Sequence, residues 1–142
     1  LLPSLYQLEK VELIHPDTKI IGVARQDISI KEYISQVKQN IENFSGESLC
    51  SDTWKRLEAR LDYVQVDMKD CDSYVAFKEH VVPERIMVCY LATPPSIYGD
   101  ICKGLNAAGV IDESVRVVLE KPIGHDLETS CVINNQVAEF FK

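Results

Sequence analysis

Two apolar runs that break on proline constrain this chain more than any other feature. Ile86-Met87-Val88-Cys89-Tyr90-Leu91-Ala92 stops at Thr93-Pro94-Pro95, and Val115-Arg116-Val117-Val118-Leu119 stops at Glu120-Lys121-Pro122-Ile123-Gly124-His125-Asp126. Both runs read as buried strands, the first fully so. The prolines, and one lysine, therefore sit where a strand leaves its sheet. In open α/β sheets ligands bind beyond the carboxyl ends of the strands. Two such junctions in an alternating α/β chain point to a dinucleotide-dependent enzyme.

The alternation extends along the chain. Residues 1–12 read as the later part of a helix and 19–25 as a short strand. Ile30, Ile34, Val37, Ile41 and Phe44 recur at helical spacing, and Gly46 follows as a stop. Residues 52–60 read as helix, 61–67 as an alternating strand and 71–80 as helix. Pro95 suits the first turn of a helix that runs to Ala108, with Gly109 as its stop. Asp126 is the expected N-cap of a last helix that runs to the chain end. One helix followed by four strand-plus-helix units predicts an α/β fold, a Rossmann-like, doubly wound, mostly parallel sheet. The G-x-G-x-x-G phosphate loop is absent. In this topology it precedes the first helix, so the expected sheet lacks its first strand and its glycine-rich loop, and that strand is a central one.

Bulk properties exclude other classes. The 142 residues suit one domain. The formal net charge of −7 speaks against a nucleic-acid partner, which needs a basic face. No apolar stretch approaches the ~20 residues of a membrane span, so no membrane association is expected. Cys50, Cys71, Cys89, Cys102 and Cys131 are odd in number and lack C-x-x-C spacing, and read as reduced thiols. His15, His80 and His125 are scattered and suggest no metal site.

Few residues offer chemistry. The second strand of a dinucleotide fold meets the adenine ribose at its end; an acidic residue there bonds the 2′-hydroxyl of NAD, and an Arg nearby accommodates the 2′-phosphate of NADP. Here the strand ends Val23-Ala24-Arg25-Gln26 without the acid. Arg25 is either a phosphate ligand or a solvated strand-end residue. Lys121 can hold a substrate oxygen or orient a nicotinamide, or it can be a surface lysine in a turn. Pro122 restricts the backbone beside it, and a cis bond there would turn the lysine inward. Tyr98 can stack on a ring or simply pack. No Ser/His/Asp or Cys/His nucleophilic set is evident.

Four ordered segments carry a family resemblance: Leu1-Leu2-Pro3-Ser4-Leu5-Tyr6, Ile21-Gly22-Val23-Ala24-Arg25, Tyr90 to Pro95, and Arg116 to Leu127. Together they resemble the N-terminal coenzyme domain of the glucose-6-phosphate dehydrogenases, with Ile123 standing where an aromatic is usual. The resemblance implies a cytoplasmic oxidoreductase of carbohydrate metabolism. It oxidises glucose 6-phosphate to 6-phosphogluconolactone, reduces NADP and opens the pentose phosphate pathway. It implies coenzyme contacts at Arg25, Tyr98 and Lys121, a substrate contact at Lys121, and site shaping by Pro94, Pro95, Glu120 and Pro122. It also implies that residues 1–142 are a partial NADP-binding domain, inactive alone. The catalytic α+β domain, with its R-I-D-H-Y-L-G-K-E segment and catalytic histidine, would then lie outside this chain, in a homodimer or homotetramer. Two alternatives stay open: a sugar oxidoreductase of the glucose–fructose oxidoreductase kind, and a non-catalytic nucleotide-binding module.

Overall fold

The computed structural model describes residues 1–82 and 85–141. It divides into two compact units, Leu1–Gln65 and Val66–Lys142.

The first unit begins with α1 (Leu2–Lys10), followed by β1 (Ile20–Ala24), α2 (Ile30–Ser45), α3 (Ser51–Glu58) and β2 (Leu61–Gln65). β1 and β2 pair in parallel, with Ile20 opposite Leu61 and Ala24 opposite Gln65. A parallel pair needs a long crossover, which α2 and α3 provide. α2 starts at a reciprocal capping box between Ser29 and Glu32 and ends at Gly46, whose φ of 68° is the left-handed conformation that favours glycine. The backbone N–H and hydroxyl of Ser29 hold the Glu32 carboxyl below its usual range. Tyr6, Val37, Ile41, Trp54, Leu57 and Leu61 form the core. The expected apolar face of α2 is only partly used: Val37 and Ile41 are buried, whereas Phe44 is 79% exposed.

An ion cluster around Glu9 fastens α1 to α3 and to the turn that precedes β2. Glu9 is almost fully buried. Its carboxylate accepts from Nε of Arg60 at 2.8 Å and from Nε of Arg56 at 3.1 Å. Arg60 also donates to the carbonyls of His15, Pro16 and Thr18, which pins the α1–β1 loop.

The second unit carries β3 (Met87–Leu91), α4 (Tyr98–Ala107), β4 (Val115–Leu119) and α5 (Leu127–Ala138). β3 and β4 are parallel, with Leu91 opposite Leu119. α4 makes the crossover and packs against α5 and against residues 71–80. Tyr74, Tyr98, Ile101, Cys102, Leu105, Val110 and Val137 are buried here.

Three expectations change. Residues 71–80 form 3₁₀ turns, not an α-helix. Asp70 caps the Asp72 amide and the Ser73 hydroxyl donates to the carbonyls of Asp67 and Asp70, so polar side chains compete for the backbone. β3 and β4 are not buried on both faces: Val88, Arg116 and Val118 share an exposed face. The last helix ends at Ala138; Lys142, to which it was expected to run, lies outside the described residues. No helix among the described residues is long and apolar enough to cross a membrane.

Candidate functional site

In each unit, the residues singled out from sequence stand at the carboxyl end of a parallel strand. In the first, β1 ends at Ala24 and Arg25 follows immediately, exposed. Its guanidinium has no hydrogen bond or ion pair among the described residues. The main chain behind it is held by side chains of β2. The Tyr63 hydroxyl donates to the Gln26 carbonyl at 2.6 Å, with the Ala24 carbonyl at 3.3 Å. The side-chain amide of Gln65 donates to the Arg25 carbonyl at 3.1 Å. Tyr63 is in turn packed against Tyr33 of α2, ring centroids 5.0 Å apart. Tyr33 lies against Gly22, where an added Cβ would collide with its ring. That close approach is what Gly22 is needed for.

In the second unit, Thr93-Pro94-Pro95 and Glu120-Lys121-Pro122 leave neighbouring strands side by side. Pro95 opens a short 3₁₀ turn, Pro95–Ile97, and α4 starts directly after it; the expected single helix from Pro95 is thus 3₁₀ at its start. The Lys121–Pro122 bond is cis. Glu120 is gripped twice. Its carboxylate accepts from the Tyr90 hydroxyl at 2.7 Å. Its carbonyl lies 3.3 Å from the hydroxyl of Tyr98, which also lies 3.5 Å from the Leu91 carbonyl. Tyr98 has no exposed surface, so it links the two strand ends from below. The bond to Glu120 pushes the Tyr90 phenol above its ordinary range. Lys121 and Pro122 are exposed.

Beyond Lys121 the chain turns onto the N-terminus of α5. Asp126 caps that helix, its carboxylate accepting from the Thr129 amide at 2.8 Å, and these contacts hold its carboxyl below the usual range. A Cβ on Gly124 would strike the Ser130 amide and the side chains of Ser130 and Thr129. The structure therefore brings Glu120, Lys121, Pro122, Tyr98, Pro94 and Pro95 together within one unit and places Arg25 in the other.

Comparison with known proteins gives this geometry a family. The sequence model described as "Glucose-6-phosphate dehydrogenase, NAD binding domain" matches residues 1–142, the whole chain. The chain belongs to the glucose-6-phosphate dehydrogenase family. It is 46% identical over 142 residues to a glucose-6-phosphate 1-dehydrogenase of Dickeya dadantii, covering 99% of this chain and 29% of that protein. With the Gluconobacter oxydans enzyme of the same name the identity is 36%, over 30% of that protein. The crystal structure of the Mycobacterium avium glucose-6-phosphate 1-dehydrogenase superposes with a TM-score of 0.88 at 33% identity, covering 99% of this chain and 30% of the other. A glucose-6-phosphate dehydrogenase in complex with glucose 6-phosphate superposes at 0.81 and 26% identity. The chain thus spans about 30% of the length of these relatives. The α/β fold with parallel strands expected from sequence is the Rossmann-like fold of the family's coenzyme domain.

Sequence reasoning missed Tyr63, Gln65, Tyr90 and the Thr93 hydroxyl, which is buried without a partner among the described residues. Only the alternation over 61–67, which puts Tyr63 and Gln65 on one face of β2, hinted at the first two.

Proposed function

We propose that the protein carrying this chain oxidises glucose 6-phosphate at C1 to 6-phosphogluconolactone with NADP, and that residues 1–142 contribute its coenzyme-binding domain. The observation that carries this reading is the unpartnered guanidinium of Arg25 immediately after β1. At the end of that strand a dinucleotide fold selects between NAD and NADP, and an Arg in place of an acid suits the 2′-phosphate. A guanidinium can bond that phosphate in a charge-assisted, bidentate manner.

The residues present fit a dinucleotide. Arg25 is exposed and free to turn to an anion, and the orphaned Thr93 hydroxyl offers a polar group at the end of β3. NADP, when bound, supplies the hydride acceptor. The Lys121 ammonium would hold a substrate oxygen and orient the nicotinamide. Glu120 and Pro122 set the backbone from which Lys121 projects, the Tyr98 hydroxyl holds the Glu120 carbonyl, and Pro94 and Pro95 shape the neighbouring strand end. The length of the relatives supports a further catalytic domain, because the chain accounts for only 29% of the Dickeya dadantii protein.

The test is NADPH formation by the full-length protein with glucose 6-phosphate and glucose in competition. Turnover with the phosphate ester alone supports the reading, preference for free glucose favours a sugar oxidoreductase of another kind, and no turnover with either leaves a nucleotide-binding module. Arg25→Ala should weaken NADP binding by about 1.5–3 kcal/mol, roughly ten- to 150-fold, and leave NAD nearly unchanged. Equal losses for both coenzymes would remove Arg25 from the 2′-phosphate site.

A further inference from the structure

Coenzyme choice by a single arginine requires that its backbone stay in one place. Arg25 lies just past the last residue of β1, where the strand ladder no longer holds the chain. The carbonyls of Arg25 and Gln26 nonetheless have donors, each from a side chain of β2, and the Ala24 carbonyl lies within reach of one of them. The single O–H of Tyr63 donates to Gln26 at 2.6 Å, with Ala24 a distant second acceptor at 3.3 Å, and the Gln65 amide donates to Arg25 at 3.1 Å. The clamp is itself braced, because the Tyr63 ring packs on Tyr33, and Tyr33 is seated on Gly22 of β1. Loss of hydration, and then the Asp27 carboxylate, push the Tyr63 phenol upward, so it remains a donor throughout the neutral range.

We infer that Tyr63 and Gln65 are specificity-determining positioning residues, which act through Arg25 to favour a 2′-phosphorylated dinucleotide. The inference rests on the reading of Arg25 given above. The clamp fixes the point from which a long side chain emerges. A bidentate bond to phosphate is directional, and a preorganised arm loses less on binding. NAD has no 2′-phosphate and gains nothing from the clamp. Weakening the clamp should therefore cost NADP and spare NAD.

The full-length enzyme would carry Tyr63→Phe, which keeps the ring on Tyr33, and separately Gln65→Met, which removes the amide from an exposed side chain. Each is measured for kcat/KM with NADP and with NAD, alone and combined with Arg25→Ala. Each single change should lower the NADP value about five- to tenfold and leave the NAD value within about twofold. In the Arg25→Ala background both should have almost no further effect, because residues acting through a shared partner are not additive. Equal losses with both coenzymes, or an undiminished loss in the Arg25→Ala background, would make the clamp merely structural and overturn the inference. If Arg25→Ala abolishes the NADP preference while both clamp variants retain it, the inference alone fails. If Arg25→Ala leaves the preference intact, the Arg25 reading fails and takes the inference with it. Should Tyr63→Phe fold poorly, Gln65→Met still decides.

Discussion

Replacing Tyr98 with Phe tests whether that residue builds the site from below or faces the coenzyme with its ring. The change removes one hydroxyl and keeps the ring, so it opens no cavity in the packing of α4. What is lost is one O–H, shared between the Glu120 carbonyl at 3.3 Å and the Leu91 carbonyl at 3.5 Å. Both distances exceed the usual O–H···O range, so the net loss is at most the middle of the usual range, about 1 kcal/mol. That is about fivefold in a local opening equilibrium. Amide hydrogen exchange of the full-length enzyme should show residues 119–121 exchanging about fivefold faster, with other segments unchanged. Turnover should fall by a similar factor, because Glu120 precedes Lys121 directly. The Tyr90 bond to the Glu120 carboxylate at 2.7 Å survives and limits the loss. A stacking role predicts otherwise, since Phe stacks as well as Tyr. Wild-type exchange and turnover in Tyr98→Phe, together with weak coenzyme binding in Tyr98→Ala, would refute the reasoning.

Two further outcomes follow from groups away from the strand ends. Glu9→Gln should destabilise the first unit by about 3–5 kcal/mol, because it leaves the Arg60 guanidinium, only 11% exposed, without its counter-charge; Arg56→Met should cost about 1 kcal/mol or less, as that side chain is 41% exposed. Urea unfolding followed by Trp54 fluorescence checks both, and equal effects would contradict the assignment of Arg60 as the buried partner. Among the thiols, Cys50 should react first with a disulfide reagent at pH 8, because it is exposed and the Thr53 amide holds it below its ordinary value. Burial pushes Cys89 and Cys102 up to about 11, so both stay protonated there, and peptide mapping that finds Cys102 labelled before Cys50 would contradict this order.

What was legible in the sequence was whatever depends on side-chain type. The 4-3-4-3 spacing from Ile30 to Phe44 marks α2 because period alone defines a helix; how much of that stripe is buried depends on neighbours, and Phe44 lies beyond the core. Arg25 and Lys121 stood out because a cation at a strand end is conspicuous, and Asp126 because capping needs a short acceptor. Residues 71–80 misled because Asp67, Asp70 and Ser73 divert backbone groups into local side-chain bonds, a competition that periodicity does not register. The clamp was hidden for a more general reason. Tyr63, Gln65 and Tyr98 all reach for main-chain carbonyls, and a carbonyl is the same acceptor whatever side chain its residue carries. No pairing of residue types announces such a bond; it exists only once a parallel register has set the end of one strand beside the end of the next. In this chain the residues that offer charge to a ligand were therefore readable from the sequence, and those that hold them in place emerged only with the register.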